Sequence, residues 1–101
     1  MDEDPSPGVP RPETFDEPVV VYGTRWCGYC RSALRLLERR GIRHAEVDVS
    51  GNAPARAWLL AITGRRTVPQ IFIHGRSIGG YTELAALDRE EELPKGEPEG
   101  G

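Results

Sequence analysis

The chain has 101 residues, a net charge of −3 and a mean hydropathy of −0.49, which allow one small domain and no more. No apolar run approaches the roughly 18 residues of a membrane span. The opening MDEDPSPG has neither the basic nor the apolar region of a leader and is too acidic for a transit peptide, so a soluble, cytoplasmic protein is expected, where thiols stay reduced.

Charge and composition divide the chain. Residues 19–90 hold 11 bases and 6 acids, a balance of +5, which leaves −8 for the ends. The arginines are scattered over several elements without a dense stripe. They read as solvated surface, with a few left for a small anionic ligand, and neither a nucleic-acid nor a membrane partner is expected. Residues 1–17 are acidic and proline-rich, with Val9 and Phe15 the only large apolar side chains after Met1. Such a segment buries too little to offset its ordering entropy, and residues 94–101 are similar. Both are expected to be disordered tails around a domain at 18–93.

Within that domain VVVY (19–22) reads as a buried strand. CRSALRLLERR follows as a helix with Cys30, Ala33, Leu34 and Leu37 on its inner stripe, Arg39 and Arg40 suiting its C-terminal dipole, and Gly41 ending it. HAEVDV (44–49) alternates as a second strand. Asn52 caps a second helix, Pro54 sits in its first turn, Trp58 and Ile62 share a face, and Gly64 terminates it. VPQIFI (68–73) is a third strand, turned by HGRS into a fourth around Ile78. Thr82 then caps a last helix with Leu84 and Leu87 inward. The order β-α-β-α-β-β-α implies a parallel pair with a right-handed crossover and an antiparallel hairpin, an α/β fold of four strands flanked by three helices.

The chain's two cysteines stand in TRWCGYCRS (24–32). A disulfide across two residues closes too small a loop to stabilise much, and a reducing compartment would open it. A zinc site needs about four ligands, and His44 and His74 lack ligand spacing. Redox chemistry has a physical basis. Cys27 falls where the first strand turns into the helix, so the N–H groups of Tyr29 and Cys30 and the helix dipole all favour a thiolate there. Arg25 and Arg31 add positive charge, while Cys30, nearly a turn on, suits a buried resolving thiol. Pro69 opens an internal strand, where two readings stand: a cis Val68–Pro69 bond that presents Val68 to an extended peptide, or a plain strand-start proline.

With these residues in view, the sequence resembles a glutaredoxin, the thioredoxin-like family that uses glutathione. WCGYC, GRRTVPQIFIHGRSIGGYTEL and the element order carry the likeness over about residues 18–90. The resemblance implies a thioredoxin-like fold, with Cys27 as nucleophile, Cys30 as resolving thiol and Tyr29 as the aromatic beside them. It implies that Thr67, Val68 and Pro69 meet the cysteinyl part of glutathione. Gly80, Tyr81, Thr82 and Glu83 would form the helix start that holds its γ-glutamyl end. Arg66, and less surely Arg56 or Arg65, falls where the family holds the glycine carboxylate, although each alone also reads as solvated surface. Three positions depart from the family pattern: Gly28 replaces a proline, Glu83 a shorter aspartate, and Thr24-Arg25 a lysine, for which Arg25 is the expected if imperfect substitute at the glutathione site.

The function implied is glutathione-dependent thiol–disulfide exchange by a monomer acting on glutathionylated or disulfide-containing proteins. An alternative from another class is a [2Fe–2S] carrier, a dimer ligated by Cys27 and glutathione. A redoxin coupled to thioredoxin reductase is a third, but it would have no need of the γ-glutamyl pocket implied by GGYTEL.

Overall fold

Five consecutive buried residues, Val19–Gly23, form β1 at the centre of the sheet. The computed structural model describes residues 8–94. Around β1 lie β2 (His44–Asp48), β3 (Gln70–Ile73) and β4 (Arg76–Gly79), in the order β2-β1-β3-β4. The β1–β2 pair is parallel, and the β1–β3 and β3–β4 pairs are antiparallel. This is the mixed sheet expected from the element order.

Because side chains alternate along a strand, β1 feeds two cores. Val19 and Val21, with Ile71, pack under α1 (Gly28–Arg39) and α3 (Tyr81–Arg89) through Ala33, Leu36, Leu37 and Leu84. Val20 and Tyr22, with Val47 and Phe72, pack under α2 (Ala53–Thr63) through Ala55, Trp58 and Leu59. Tyr22 meets Trp58 and Phe72 edge-on, with ring centroids 5.6 and 5.5 Å apart.

The helices follow their signals with three differences. In α1 the buried stripe takes in Leu36, and Leu34 lies half-buried at its margin. In α2 the Asn52 cap accepts from the Ala55 N–H at 3.1 Å, but Ile62, in the last turn, projects past the buried stripe and is 49 % exposed. In α3 the cap is Gly80, not Thr82, which is the exposed second residue of the helix. Glu83 Oε1 reaches back to the Gly80 N–H at 2.8 Å, so the acid three residues on does the capping. Leu84 is fully buried and Leu87 half-buried.

The expected N-terminal tail is corrected over residues 8–17, which lie against the α2 side of the sheet; residues 1–7 and 95–101 fall outside the described residues. Pro12 is buried in a 3₁₀ turn (Pro12–Thr14), and Val9 and Phe15 pack on the core of Val20, Tyr22 and Trp58. The Tyr22 hydroxyl donates to the Pro10 carbonyl at 2.6 Å. Composition hid this docking for two physical reasons. Tyr22 is wholly buried, so its hydroxyl needs a partner, and the arm supplies it. Prolines also lower the entropy lost on ordering the arm.

Deleting residues 1–16 should therefore destabilise the domain by about 2 kcal/mol through lost apolar cover and the orphaned hydroxyl. For a domain of this size that is a fall in Tm of roughly 10 °C, readable by calorimetry. A truncated protein melting within about 2 °C of the full chain would contradict the docking.

Candidate active site

A parallel β-α-β unit turns from strand to helix at the C-terminal edge of its first strand, and both cysteines stand at that turn. Cys27, half-exposed, is the N-cap of α1, and its Sγ accepts from the Cys30 N–H at 3.4 Å. Its thiol donates to the Val68 carbonyl at 3.6 Å. The Val68–Pro69 bond is cis, which decides between the two readings of that proline.

Cys30 is a different kind of thiol. It is 4 % exposed, and a Cβ added at Gly23 would lie 2.7 Å from its Sγ, so only glycine fits opposite it. Burial pushes the Cys30 thiol up to about 11, with the negative charges of Cys27 and Glu46 acting the same way and a hydrogen bond from the Thr24 backbone opposing.

Beside Cys27 a groove of about 290 Å³ is lined by Tyr29, Arg65, Thr67, Val68, Pro69, Gly80, Tyr81, Thr82 and Glu83. The Tyr29 and Tyr81 rings stack across it, centroids 6.0 Å apart. At one end stands the start of α3, where the N–H groups of Tyr81 and Thr82 have no intrahelical partner and favour an anion. The Gly80 N–H holds the Glu83 carboxyl below the usual carboxylate range, helped by the Glu83 N–H and by Arg65, whose Nη2 is 3.6 Å from Glu83 Oε2. A Cβ at Gly79, where φ is +110°, would strike the Glu83 carboxyl at 2.8 Å. Glycine there leaves room for the longer acid.

The fold thus brings together Cys27, Tyr29, Thr67, Val68, Pro69, Gly80, Tyr81, Thr82 and Glu83. Three expected arginines lie elsewhere. Arg25 turns away to Asp48, at 3.3 Å, and its N–H to Ser50 Oγ. Arg56 donates to the Arg66 carbonyl at 3.2 Å, and neither lines the groove. Arg65, the weaker expectation, is the cation that does. Arg65 and Arg66 lie between α2 and β3, where the backbone is irregular, so no periodicity separates the two. Two bonds orient Arg65: its N–H donates to Thr63 Oγ1, and its carbonyl accepts from Gln70 Nε2 at 2.7 Å. Gln70 is the one polar residue inside VPQIFI, and its buried amide nitrogen finds the Arg65 carbonyl while its Oε1 has no partner among the described residues.

A dithiol on a helix N-terminus, facing a cis-proline loop across a mixed four-stranded sheet, defines a thioredoxin-like redox protein. The glutaredoxin family model matches residues 19–78. The chain is 43 % identical over 76 residues to a Pseudomonas aeruginosa glutaredoxin, covering 75 % of this chain and 90 % of that one. It is equally identical over 70 residues to glutaredoxin 3 of Escherichia coli K12, covering 69 % and 84 %. A buckwheat glutaredoxin–glutathione complex superposes with a TM-score of 0.73 at 34 % identity, over 76 % of this chain and 73 % of that one. The chain belongs to the glutaredoxin family, and family membership implies thiol–disulfide oxidoreductase activity.

Two shifted groups bracket the stability of the reduced protein. The Glu83 carboxyl is held below the ordinary carboxylate range, so its contribution is present above that range and lost as pH falls through the lowered value. The Cys30 thiol is pushed above a free thiol, so its contribution is full below the free-thiol range and lost as pH rises through about 11. Denaturant unfolding across pH should show a plateau between these limbs. Glu83→Gln should flatten the acid limb and Cys30→Ala the alkaline one. Unaltered limbs would contradict the assignments.

Proposed function

We propose that the protein reduces glutathionylated proteins and disulfides at the expense of glutathione, with Cys27 as the exchanging thiolate. One observation carries this most: the half-exposed Cys27 sulfur stands at the mouth of a groove that ends on an anion-favouring helix start. The buckwheat neighbour, solved with glutathione, supports the choice of ligand. Glutathione would lie along Val68, with its γ-glutamyl carboxylate at the Tyr81 and Thr82 N–H groups. Arg65, the cation that lines the groove, would meet a carboxylate of the ligand. Glu83 caps Gly80 with one oxygen, which leaves the other, now beside Arg65, for the ligand's ammonium.

The Cys27 thiolate attacks the glutathionyl sulfur of a mixed disulfide. That S–S bond breaks, the protein cysteine leaves as a thiolate and takes a proton from water, and glutathione stays on Cys27. A second glutathione thiolate then attacks the bound glutathionyl sulfur, releasing glutathione disulfide and restoring Cys27. The Cys30 route needs a thiol that burial pushes up to about 11 to lose its proton first, which favours the external glutathione near neutral pH. It is kept for protein disulfides. A free dithiol suits a reducing compartment, and no helix among the described residues is long and apolar enough to cross a membrane.

Cys27→Ser should abolish turnover in an assay coupled to glutathione and glutathione reductase. Cys30→Ser should keep reduction of glutathione mixed disulfides while reduction of protein disulfides falls at least tenfold. Loss of all deglutathionylation in the Cys30 variant, or turnover only with thioredoxin reductase, would contradict the proposal.

One observation favours a second reading. A Cβ at Gly28 would meet nothing within 4 Å, so no part of this chain stands over the residue next to Cys27, where a second copy would have to approach. No group of three or more His, Cys, Asp or Glu is clustered to hold a metal among the described residues. Cys27 would be each chain's one ligand to a [2Fe–2S] cluster, completed by a second copy and two glutathiones; bound, the cluster supplies one-electron chemistry or is itself transferred. Anaerobic reconstitution with iron, sulfide and glutathione should then yield a coloured dimer that Gly28→Pro abolishes. A colourless monomer would exclude it.

A further inference from the structure

The reactive thiol has a second hollow on its other side. A cleft of about 290 Å³, as large as the glutathione groove, opens between the start of α1 and the edge strand β2. Its floor is Leu34 and the buried Cys30, its walls are Arg31 and Glu46, and at its rim stands Trp26. The Trp26 side chain is 87 % exposed, the most of any large hydrophobic residue among those described. Trp26 immediately precedes the nucleophile. Tyr29, the other exposed aromatic of the active-site turn, has a ring partner in Tyr81, but no ring contact is made by Trp26 among the described residues.

An indole left in water beside an exchanging sulfur is a surface for a partner, because aromatic side chains bury large area at little entropic cost. The charge around it narrows the partner. Arg25, on this side, is held by Asp48, whereas Arg31 and, one turn on, Arg35 make no ion pair among the described residues. Glutathione in its own groove would leave this cleft empty, since the two share no lining residue. The cleft adjoins the reacting turn through Trp26, which precedes Cys27, and Cys30, whose N–H bonds the Cys27 sulfur, so a segment bonded to that sulfur can reach it.

We propose that the cleft receives the protein half of the substrate, as an extended segment with an apolar or aromatic side chain beside its cysteine and an acidic neighbour. The ring packs on Trp26 over Leu34, and the carboxylate meets Arg31. The site selects among glutathionylated and disulfide-bonded proteins, while the groove supplies the reductant common to all of them. This inference rests on the glutathione reading given above.

The test compares three substrates under saturating glutathione and glutathione reductase. They are the mixed disulfide of glutathione with 2-mercaptoethanol, a glutathionylated Phe-Cys-Glu peptide, and its Ala-Cys-Lys counterpart. The wild-type protein should prefer the first peptide over the second by about tenfold in kcat/KM, a typical yield of one good apolar contact and one ion pair. Trp26→Ala should remove most of that preference and leave turnover of the small disulfide unchanged, and Arg31→Gln should lower the rate for the acidic peptide relative to that for the small disulfide. Both residues are at the surface, so neither variant should lose its fold, and circular dichroism checks that. Equal rates for the two peptides, or a uniform loss on all three substrates, would overturn the inference. A preference that arises only on deleting residues 1–7 would also overturn it, because the chain's own acidic terminus would then be the occupant. No turnover of the small disulfide by the wild type would instead sink the glutathione reading itself, and this inference with it.

Discussion

The hydrogen bond from the Cys30 N–H to Cys27 Sγ is the contact on which the rest of the site depends. It exists because β1 ends at Gly23 and the chain must turn at once into a helix that covers the strand. A helix start presents N–H groups that no turn of the helix can satisfy, and a sulfur at the N-cap meets that need. The same geometry sends the second cysteine inward. One turn position therefore yields two unlike thiols, one half-exposed and one buried beside Gly23. Unequal thiols are what directional disulfide exchange requires, since the attacking and resolving roles cannot be interchangeable.

The sheet order places the remaining parts. Pairing β3 beside β1 brings the Val68–Pro69 loop opposite Cys27, and the β3–β4 hairpin delivers the start of α3 to the same edge. Glu83 then has two tasks, capping Gly80 and pairing with Arg65, so one carboxylate shapes both the helix start and the charge of the groove. The buried Gln70 amide ties Arg65 to the sheet. The groove is consequently built on strands and helix termini, with its one irregular wall braced by side-chain bonds. In the cleft under Trp26, Arg25 is braced by Asp48 and Ser50, whereas Trp26 itself makes no ring contact among the described residues, which suits the surface proposed for varied protein segments.

Much of this was legible in the sequence wherever period and position decide the outcome. VVVY could only be a buried strand, the apolar spacing after Cys27 only a helix, and two cysteines at that junction had few chemistries open to them. Where the structure differs, the deciding force is tertiary. Thr82 looked like a cap, but the chain leaves β4 through Gly79 and Gly80, and the carboxylate of Glu83 satisfies Gly80 first. Arg65 and Arg66 share a stretch of no regular period, which gives no ground for choosing between them, and bonds to Thr63 and Gln70 hold Arg65 at the groove. Composition alone predicts a disordered N-terminal arm. The buried hydroxyl of Tyr22, a demand invisible until the strand's neighbours are known, and the packing of Val9, Pro12 and Phe15 hold it in place.

The inequality of the two sulfurs is the central claim, and selective alkylation tests it most directly. The reduced protein is exposed briefly to limiting iodoacetamide near neutral pH, quenched, digested and mapped by mass spectrometry. Modification should fall on Cys27 at least tenfold more than on Cys30, and reach Cys30 only after denaturation. Comparable labelling of both cysteines, or faster labelling of Cys30, would contradict the account.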